Sequence, residues 1–314
     1  MTVSTSDQET VLVIGATGRQ FGTGARVVER LQAQGRVVRA LVRSEDERAE
    51  RLRESGVQTL LGDLHDRRTL LPALDGAGSM YLAVAGAGIV DALANVASVI
   101  RELGSSPRVV IMSVAAADHN SASGIARARA LSEELLLQLG VHFTAVRGSA
   151  FFYEIVLLLH AGAIRETGVF ANCFGDARPA WISATDAADL CATALLDPQH
   201  HANTPFVYPP GYELLSQQEI ADIVSEETGR EVRYQHITAN EWSRQLQAHA
   251  GGRLNHAVIQ HITTLAKMCE NNTTILRTDT DPSALAAASG RPPLSFRNFV
   301  RQHRSAFGAA TAKA

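Results

Sequence analysis

Cysteine and long apolar runs are scarce in this sequence, and each shortage excludes a class of protein. The three cysteines, Cys173, Cys191 and Cys269, are widely spaced and form no CxxC pair, which favours buried, reduced thiols in a cytoplasmic protein over a metal or dithiol site. No apolar run approaches the roughly 18 residues of a membrane span, and the polar residues 1–10 lack the features of a secretion signal. We therefore expect a protein that is neither exported nor bound to a membrane.

A large excess of positive or negative charge is also lacking. The net charge is −3 and both signs are mixed along the chain, which disfavours binding to nucleic acid or to an anionic membrane. Lys267 and Lys313 are the only lysines, and this rarity indicates a high-GC bacterial genome more than a chemical function. With 314 residues, nearly half of them apolar, the chain can bury a large core. A small molecule is the expected partner.

In the first half of the chain, short β-branched runs alternate with segments of helical periodicity. The predicted strands are 11–14, 37–42, 57–61, 80–84, 109–112 and 142–146. The predicted helices between them are 25–31, 45–54, 67–74, 89–103 and 125–139. This alternation predicts an α/β fold with a doubly wound parallel Rossmann sheet and right-handed crossovers.

After Arg147 the pattern loosens into a helix-like run through His160 and a polar stretch. A strand at 181–183 then feeds a capped helix and is expected to return to the sheet. Further on, the predicted elements are helices 216–228, 239–246, 283–288 and 296–307 around one strand, 232–237. We predict a Rossmann domain of residues 1–150 together with 181–208, and a smaller, mostly helical C-terminal substrate domain of residues 151–180 and 209–314.

The glycine turn after the first strand is the first candidate site. A pyrophosphate requires backbone N–H groups at a helix N-terminus and glycines that let the chain approach. The predicted cofactor-binding residues of this turn are Gly15, Thr17, Gly18, Arg19, Gln20, Phe21 and Gly22. Either Gly22 or Gly24 is the third glycine, and the spacing is longer than in a GxxGxxG turn, as in a bulged phosphate loop. The alternative is a turn with a purely structural role.

The end of the second strand indicates which dinucleotide binds. An acidic residue there would bond the ribose hydroxyls of NAD, whereas Arg43, followed by Ser44, favours the 2′-phosphate of NADP(H). Arg19 in the glycine loop can reach the same phosphate. The alternative is that Arg43 is a solvated charge paired with Asp46 or Glu47, and NAD(H) stays possible.

Six motifs occur in the order found in NmrA-like proteins, which are atypical short-chain dehydrogenase/reductases. They are GATG at Gly15, VRALVR ending at Arg43, Gly62-Asp63-Leu64, Trp181-Ile182 before Asp186 and Asp189, Glu219-Ile220-Ala221 before Gly229, and Gly290-Arg291-Pro292-Pro293 before Phe296 and Phe299. The similarity spans residues 10 to 307. Members of this family include NAD(P)H-dependent quinone, azo-dye and aromatic-compound reductases, and also redox-sensing regulators that bind the dinucleotide without turnover.

The resemblance also implies positions for the parts of the cofactor. Asp63 and Leu64 would lie at the adenine. Ala83, Val84 and Ala85 would lie beside the ribose and pyrophosphate. Ser113, Gly148 and Ser149 would lie near the nicotinamide.

The chain departs from the standard short-chain reductases at their Tyr-x-x-x-Lys pair. The matching stretch runs from Ile125 to Arg129, so the phenol is absent and an arginine occupies the place of the lysine. Arg129 can hold ribose hydroxyls but cannot shuttle a proton, because guanidinium stays charged. Hydride transfer to an electron-poor conjugated ring is still available, since solvent or a weak acid can protonate its delocalised product.

The candidate weak acids, and so the candidate catalytic residues, are Ser113, His119 and Tyr153. Ser113 ends a strand at the edge where α/β sheets bind ligands, or caps the loop. His119 is equally explained as a solvated loop residue, and Tyr153 as pocket wall. The predicted substrate-binding residues are Phe151, Phe152, Tyr153 and Trp242. The histidines show no i,i+4 pair with a carboxylate, so no metal is expected.

The favoured function is an NAD(P)H-dependent reductase that transfers hydride to an aromatic, quinone-type or polycyclic ketone. A polyketide intermediate of bacterial secondary metabolism, as in antibiotic biosynthesis, would be one such substrate. The alternatives are a non-catalytic NADP-binding redox sensor, and a dehydratase, isomerase or oxygenase-associated enzyme acting on a polyketide. A homodimer or a partner enzyme is possible in each case.

Overall fold

The computed structural model describes residues 9–18, 22–84, 86, 88–148, 150–197, 204–249, 254–272 and 279–308 of the 314-residue chain. These residues form two compact units. The first comprises the described residues up to His119, together with 128–147 and 187–207. The second comprises 120–127, 148–186 and the described residues from Tyr208 onward. The second unit contains nearly as many residues as the first, and it includes 181–186, which the sequence assigns to the Rossmann domain.

The secondary structure follows the predicted alternation closely in the first unit. The strands in chain order are β1 Thr10–Ile14, β2 Val38–Val42, β3 Gln58–Leu61, β4 Ala77–Leu82, β5 Arg108–Val114, β6 Phe143–Gly148, β7 Phe151–Phe152, β8 Val169–Asn172, β9 Ala180–Ile182, β10 Phe206–Val207, β11 Glu213–Leu214 and β12 Arg233–His236. The helices are α1 Thr23–Ala33, α2 Glu47–Glu54, α3 Arg67–Leu74, α4 Ile89–Glu102, α5 Gly124–Gln138, α6 Glu154–Leu159, α7 Ala161–Thr167, α8 Ala184–Leu196, α9 Gln217–Thr228, α10 Ala239–His249, α11 His256–Glu270, α12 Pro282–Ser289 and α13 Phe296–Gln302, followed by a 3₁₀ helix at Arg304–Phe307.

A seven-stranded parallel sheet forms the centre of the first unit. Its order is β10-β6-β5-β4-β1-β2-β3. Ile14 at the end of β1 lies opposite Leu41 of β2 on one side and Leu82 of β4 on the other. The order reverses between β1 and β4, and ligands of doubly wound sheets bind in the crevice at this switch point. The predicted Rossmann-type α/β fold is confirmed.

The inner strands of this sheet, such as β1, β4 and β5, are buried on both faces, which explains their continuous apolar runs. Leu12, Val13 and Met80 are fully buried, and α3 and α4 cover one face with side chains such as Leu93 and Val96. Each such side chain contributes about 1.5–3 kcal/mol when it leaves water. This packing holds the ends of β1, β4 and β5 in fixed positions.

The second unit contains two small sheets. In one, β9 pairs with β7 in parallel and with β11 in antiparallel orientation. In the other, β12 pairs with β8 in parallel. The sequence predicts that the strand at 181–183 returns to the central sheet, but in the structure this strand lies in the first of these small sheets as β9. The short strand β10 joins the central sheet instead, beside β6. A three-residue apolar run satisfies either sheet equally, so its sequence does not select between them.

Several elements escape the sequence pattern, among them helix α11 and strand β8. Helix α11 is rich in β-branched residues, such as Ile262 and Thr263, that weaken a helical signal. It begins because the Asn255 side chain accepts a hydrogen bond from the Val258 N–H. Strand β8 is only four residues long. In contrast, the capping box of Ser216 and Glu219 starts α9 close to the predicted position.

No helix of the described ranges is both long enough and apolar enough to cross a membrane.

Candidate functional site

The glycine turn lies directly against the end of β4. Gly15 follows β1 with a φ of +98°, and a Cβ on it would come 2.8 Å from the carbonyl oxygen of Ala83. A Cβ on Gly24 would lie 2.3 Å from the Gly15 carbonyl oxygen. Gly22 has a left-handed φ of 69° and precedes α1 as its N-cap. Gly22 and Gly24 therefore both serve the turn: one starts the helix and the other lets it pack on the strand end.

The N-terminus of α1 is suited to an anion. Among the described residues, no side chain caps this helix and its first turn carries no acidic residue. Gly18 is exposed, and its N–H donates to the Gly15 carbonyl at 3.0 Å. The helix start therefore offers the backbone N–H groups that bind phosphate. The predicted contacts of Arg19, Gln20 and Phe21 lie outside the described residues.

The end of β2 presents a cation that is available to a ligand. Arg43 is exposed and makes no hydrogen bond or ion pair with the other described residues. Asp46, its suggested partner, instead accepts hydrogen bonds from Ser44 and Arg48. The Arg48 bonds hold the pKa of the Asp46 carboxyl well below its usual range. Pairing of Arg43 with Asp46 is thus not what the structure shows.

Arg48 is a residue that the sequence analysis missed. Its guanidinium donates to the Thr17 carbonyl oxygen as well as to Asp46. It therefore connects the glycine turn to the residues after β2. Its position in the first turn of α2 gives no signal in the sequence, because many exposed helices carry arginine there.

The residues assigned to the adenine and ribose lie at the same edge of the sheet. Asp63 follows β3 and its Oδ1 accepts the His65 N–H at 2.9 Å. The Leu64 carbonyl accepts from the Asn95 side chain at 2.9 Å. The Ala83 N–H donates to the Ile14 carbonyl at 3.1 Å. Ala85 and Ser149 lie outside the described residues, whereas Gly148 ends β6.

Arg129 lies beside the ends of β4 and β5. It is only 9% exposed, and its Nη1 and Nη2 donate to the Met112 and Val84 carbonyl oxygens at 2.6 and 2.9 Å. Burial lowers the pKa of this guanidinium. Its Nε has no partner among the described residues. Arg129 therefore ties the ends of β4 and β5 together, and its predicted contact with the ribose stays a prediction.

Ser113 is the first of three largely buried polar side chains that are joined by hydrogen bonds, an arrangement that the sequence did not reveal. Its hydroxyl donates to Glu133 Oε1, and Arg147 donates to Glu133 Oε2 from Nε at 2.9 Å and from Nη2. The side chains of Glu133 and Arg147 are 2% and 13% exposed. The Arg147 guanidinium also lies 4.2 Å from the centre of the Phe206 ring. Glu133 looked like one more charge on a helix, since only the fold brings β5, α5 and β6 together.

The other two catalytic candidates do not lie in comparable surroundings. The His119 side chain is half exposed and pairs with Glu134, with 2.7 Å between Nε2 and Oε2. Tyr153 is fully buried in the second unit, where its hydroxyl donates to Glu213 Oε1 at 2.6 Å. Burial, and then Glu213, raise the pKa of this phenol. His119 thus matches a solvated loop residue, and Tyr153 is enclosed by protein.

Most of the aromatic residues assigned to substrate are core residues of the second unit. The Phe151 ring packs on Phe174 and Trp181, with centroids 5.1 and 5.5 Å apart. Trp242 is 1% exposed and stacks on His160. Of the four, Phe152 alone is partly exposed. Aromatic residues give the same sequence signal in a core and in a pocket wall. Here Phe151, Tyr153 and Trp242 are buried in the core.

The comparisons with known proteins identify the family. The family model for the NmrA-like family matches residues 7–288. This chain belongs to the NmrA-like family. A curated relative, the NAD(P)H azoreductase of Xenophilus azovorans, is 31% identical over 96% of this chain and 100% of its own length. The uncharacterized oxidoreductase YesF of Bacillus subtilis is 25% identical over 94% of this chain and 96% of its own.

Solved structures of two reductases share the fold seen here. The NADPH-dependent quinone oxidoreductase of Escherichia coli superposes with a TM-score of 0.76 at 22% identity, covering 93% of this chain and 99% of that one. The triphenylmethane reductase of Citrobacter sp. gives a TM-score of 0.75 at 20% identity, with the same coverage. At these identities the similarity establishes the fold.

Glu154, a partly buried acid that the sequence analysis missed, makes stability depend on pH. Burial raises its pKa from 4.5 to about 7, although its Oε2 accepts the Ala184 N–H at 3.0 Å. The unfolded chain releases this proton near pH 4.5 and the folded chain near pH 7. Stability from this group is therefore present below pH 4.5 and is lost as the pH rises towards 7.

We expect Glu154→Gln to gain stability over the wild type as the pH rises from 4.5 to 8, by up to about 3 kcal/mol. Urea unfolding at several pH values measures this difference. Glu166→Gln, at an exposed position of α7, is the control and should show no such trend. A constant difference between Glu154→Gln and the wild type would contradict the raised pKa.

Proposed function

We propose that this protein is an NADP(H)-dependent oxidoreductase that transfers hydride to an electron-poor aromatic, azo or quinone-type acceptor. The observation that carries the proposal is the glycine cradle at the β1–β4 switch point, where a Cβ at Gly15 or Gly24 would collide with backbone. The 31% identity to an NAD(P)H azoreductase over nearly the whole chain supports the same reaction class. NAD(H) is the alternative cofactor.

The chain's own residues hold the cofactor along the carboxyl edge of the sheet. The start of α1 would bind the pyrophosphate, and Arg43 would bind the 2′-phosphate. The nicotinamide would lie at the ends of β5 and β6, near Ser113. When bound, NADPH supplies the hydride. Because His119 is solvated and Tyr153 is enclosed, the product is protonated by solvent, which requires an acceptor whose anion is delocalised.

The substrate is a small molecule. Azo dyes and quinones are the favoured classes, because one relative is an azoreductase and one structural neighbour is a quinone oxidoreductase. Polycyclic ketones of polyketide type belong in the same test, although the known relatives give no support to antibiotic biosynthesis.

A reducing, cytoplasmic setting fits the three free cysteines, since burial raises the pKa of Cys173 to about 11 and that of Cys269 to about 12. A homodimer or a partner enzyme is also a proposal, which light scattering would test.

A hydride-tracing assay tests this function. The purified protein is incubated with NADPH carrying deuterium at C4 and with a panel of quinones, azo dyes and polycyclic ketones. We expect loss of absorbance at the reduced nicotinamide band, with the label found in the product by mass spectrometry or lost from a product O–H or N–H. Tight dinucleotide binding without turnover of any acceptor would instead favour the redox-sensor alternative.

The choice between the two dinucleotides is tested by Arg43→Ala. A charge-assisted hydrogen bond contributes about 1.5–3 kcal/mol, so NADPH binding should weaken by about one to two decades. NADH binding should hardly change, since NADH lacks the 2′-phosphate. Arg51→Ala, which removes an exposed arginine of α2, is the control. Equal losses for both dinucleotides in calorimetric titrations would contradict the assignment of Arg43.

A further inference from the structure

The buried chain of Ser113, Glu133 and Arg147 fixes the direction of one hydrogen bond. Arg147 is a donor only, so the Glu133 carboxylate accepts at Oε2 and forms an ion pair. Its other oxygen, Oε1, accepts from Ser113 Oγ across 2.5 Å. Ser113 and Glu133 are 4% and 1% exposed, so water does not compete effectively for these bonds.

A serine hydroxyl carries a single proton. In this arrangement that proton is directed at Glu133, and only the lone pairs of Ser113 Oγ are left for any further partner. A group that meets Ser113 at the carboxyl end of β5 must therefore be a donor. This excludes Ser113 as the acid that protonates a substrate and reverses the role that the sequence suggests for it.

We propose that Ser113 is a hydrogen-bond acceptor that recognises the carboxamide N–H₂ of the nicotinamide, and that Glu133 and Arg147 are positioning residues that set its polarity. The inference rests on the proposed function, which places the nicotinamide at the ends of β5 and β6. The carboxamide is the N–H donor of the reacting ring, so holding it fixes which face of the ring is presented to the acceptor.

A thermodynamic cycle tests the contact between Ser113 and the carboxamide: the binding of two ligands is compared in the wild type and in Ser113→Ala. The probes are NADP⁺ and its 3-acetylpyridine analogue, in which a methyl group replaces the amide N–H₂. We expect wild-type protein to bind the analogue about tenfold more weakly, which is the size of one neutral hydrogen bond. In Ser113→Ala the two probes should bind with equal affinity, close to that of the analogue in the wild type.

Ser132→Ala is the matched control. Ser132 is also fully buried on α5, but its hydroxyl donates to the Ala128 carbonyl within its own helix. This variant should keep the tenfold discrimination. If the wild type and Ser113→Ala prefer NADP⁺ over the analogue by the same factor, the inference about Ser113 is wrong, while the proposed function stands. If the wild type binds neither probe, the proposed function fails and the inference fails with it.

Glu133→Gln tests the positioning role. Its amide N–H₂ can donate to Ser113 Oγ, which occupies one lone pair and frees the serine proton, so that the carboxamide N–H₂ meets a hydroxyl that is no longer fixed as an acceptor. We expect this variant to bind NADP⁺ and the analogue within twofold of each other. Retention of the tenfold preference in a folded Glu133→Gln protein would show that Glu133 does not set the polarity of Ser113. If this variant does not fold, the Ser113→Ala cycle still decides the proposal.

Discussion

Gly18→Val is expected to weaken NADPH binding by at least about 100-fold, or about 2.7 kcal/mol, in a chain that stays folded. Gly18 is exposed in the turn before α1, and the nearest heavy atom to a Cβ there would be the Gly15 carbonyl oxygen at 3.0 Å. The protein can accommodate this contact with a small shift. A pyrophosphate at the helix N-terminus cannot, because the valine side chain would occupy its place.

Calorimetric titration with NADPH, together with thermal unfolding, measures the two effects separately. Gly35→Ala is the control at the opposite end of α1, where φ is +69° and a Cβ meets nothing within 4 Å. It should cost about 1 kcal/mol of stability and leave binding unchanged. Unchanged affinity in Gly18→Val would place the phosphate site elsewhere on the chain.

Asp186→Ala is expected to lower the free energy of unfolding of the second unit by about 3 kcal/mol. Asp186 is 1% exposed and accepts hydrogen bonds from Ser183 Oγ, Arg291 Nη2 and the Leu294 N–H at 2.7, 2.6 and 2.9 Å. Its carboxylate thus joins the start of α8 to the segment before α13. Alanine removes every one of these bonds and leaves the Arg291 guanidinium without this anion.

Urea unfolding followed by circular dichroism measures the loss. Asp222→Ala, on the exposed side of α9 in the same unit, should change stability by less than about 0.5 kcal/mol. Asp186→Asn keeps an oxygen acceptor and should lie between the wild type and alanine. A loss in Asp186→Ala no larger than in Asp222→Ala would show that the network contributes little.

The Asp186 network explains why two distant motifs occur together. The sequence shows Trp181-Ile182 before Asp186, and Gly290-Arg291-Pro292-Pro293 near the C-terminus, as separate features of the family. In the structure Arg291 forms an ion pair with Asp186. Asp189 similarly pairs with Arg26 and Arg30 of α1. These motifs therefore include residues that form ion pairs within each unit. Their spacing in the sequence does not predict these pairs.

For the candidate site, the sequence was informative about the local turns that follow the strands. The glycines after β1 and the arginine after β2 are adjacent to strand ends, and a strand end is recognisable from a few neighbouring residues. It was less informative for side chains that act through distant partners. Tyr153 and Trp242 look like ligand contacts in sequence, yet both are enclosed in the second unit, while Glu133, Arg147 and Arg48 gave no signal.

The sequence by itself determined the alternation of strands and helices in the first unit, the parallel Rossmann sheet and the family, because apolar periodicity and glycine positions are set by residues close together in the chain. The tertiary structure decided that β9 lies outside the central sheet, that Arg129 bonds to the ends of β4 and β5, and that Ser113 donates to Glu133. Each of these depends on groups that are far apart in sequence. Hydrogen-bond direction and burial are set only when the packed chain brings such groups together.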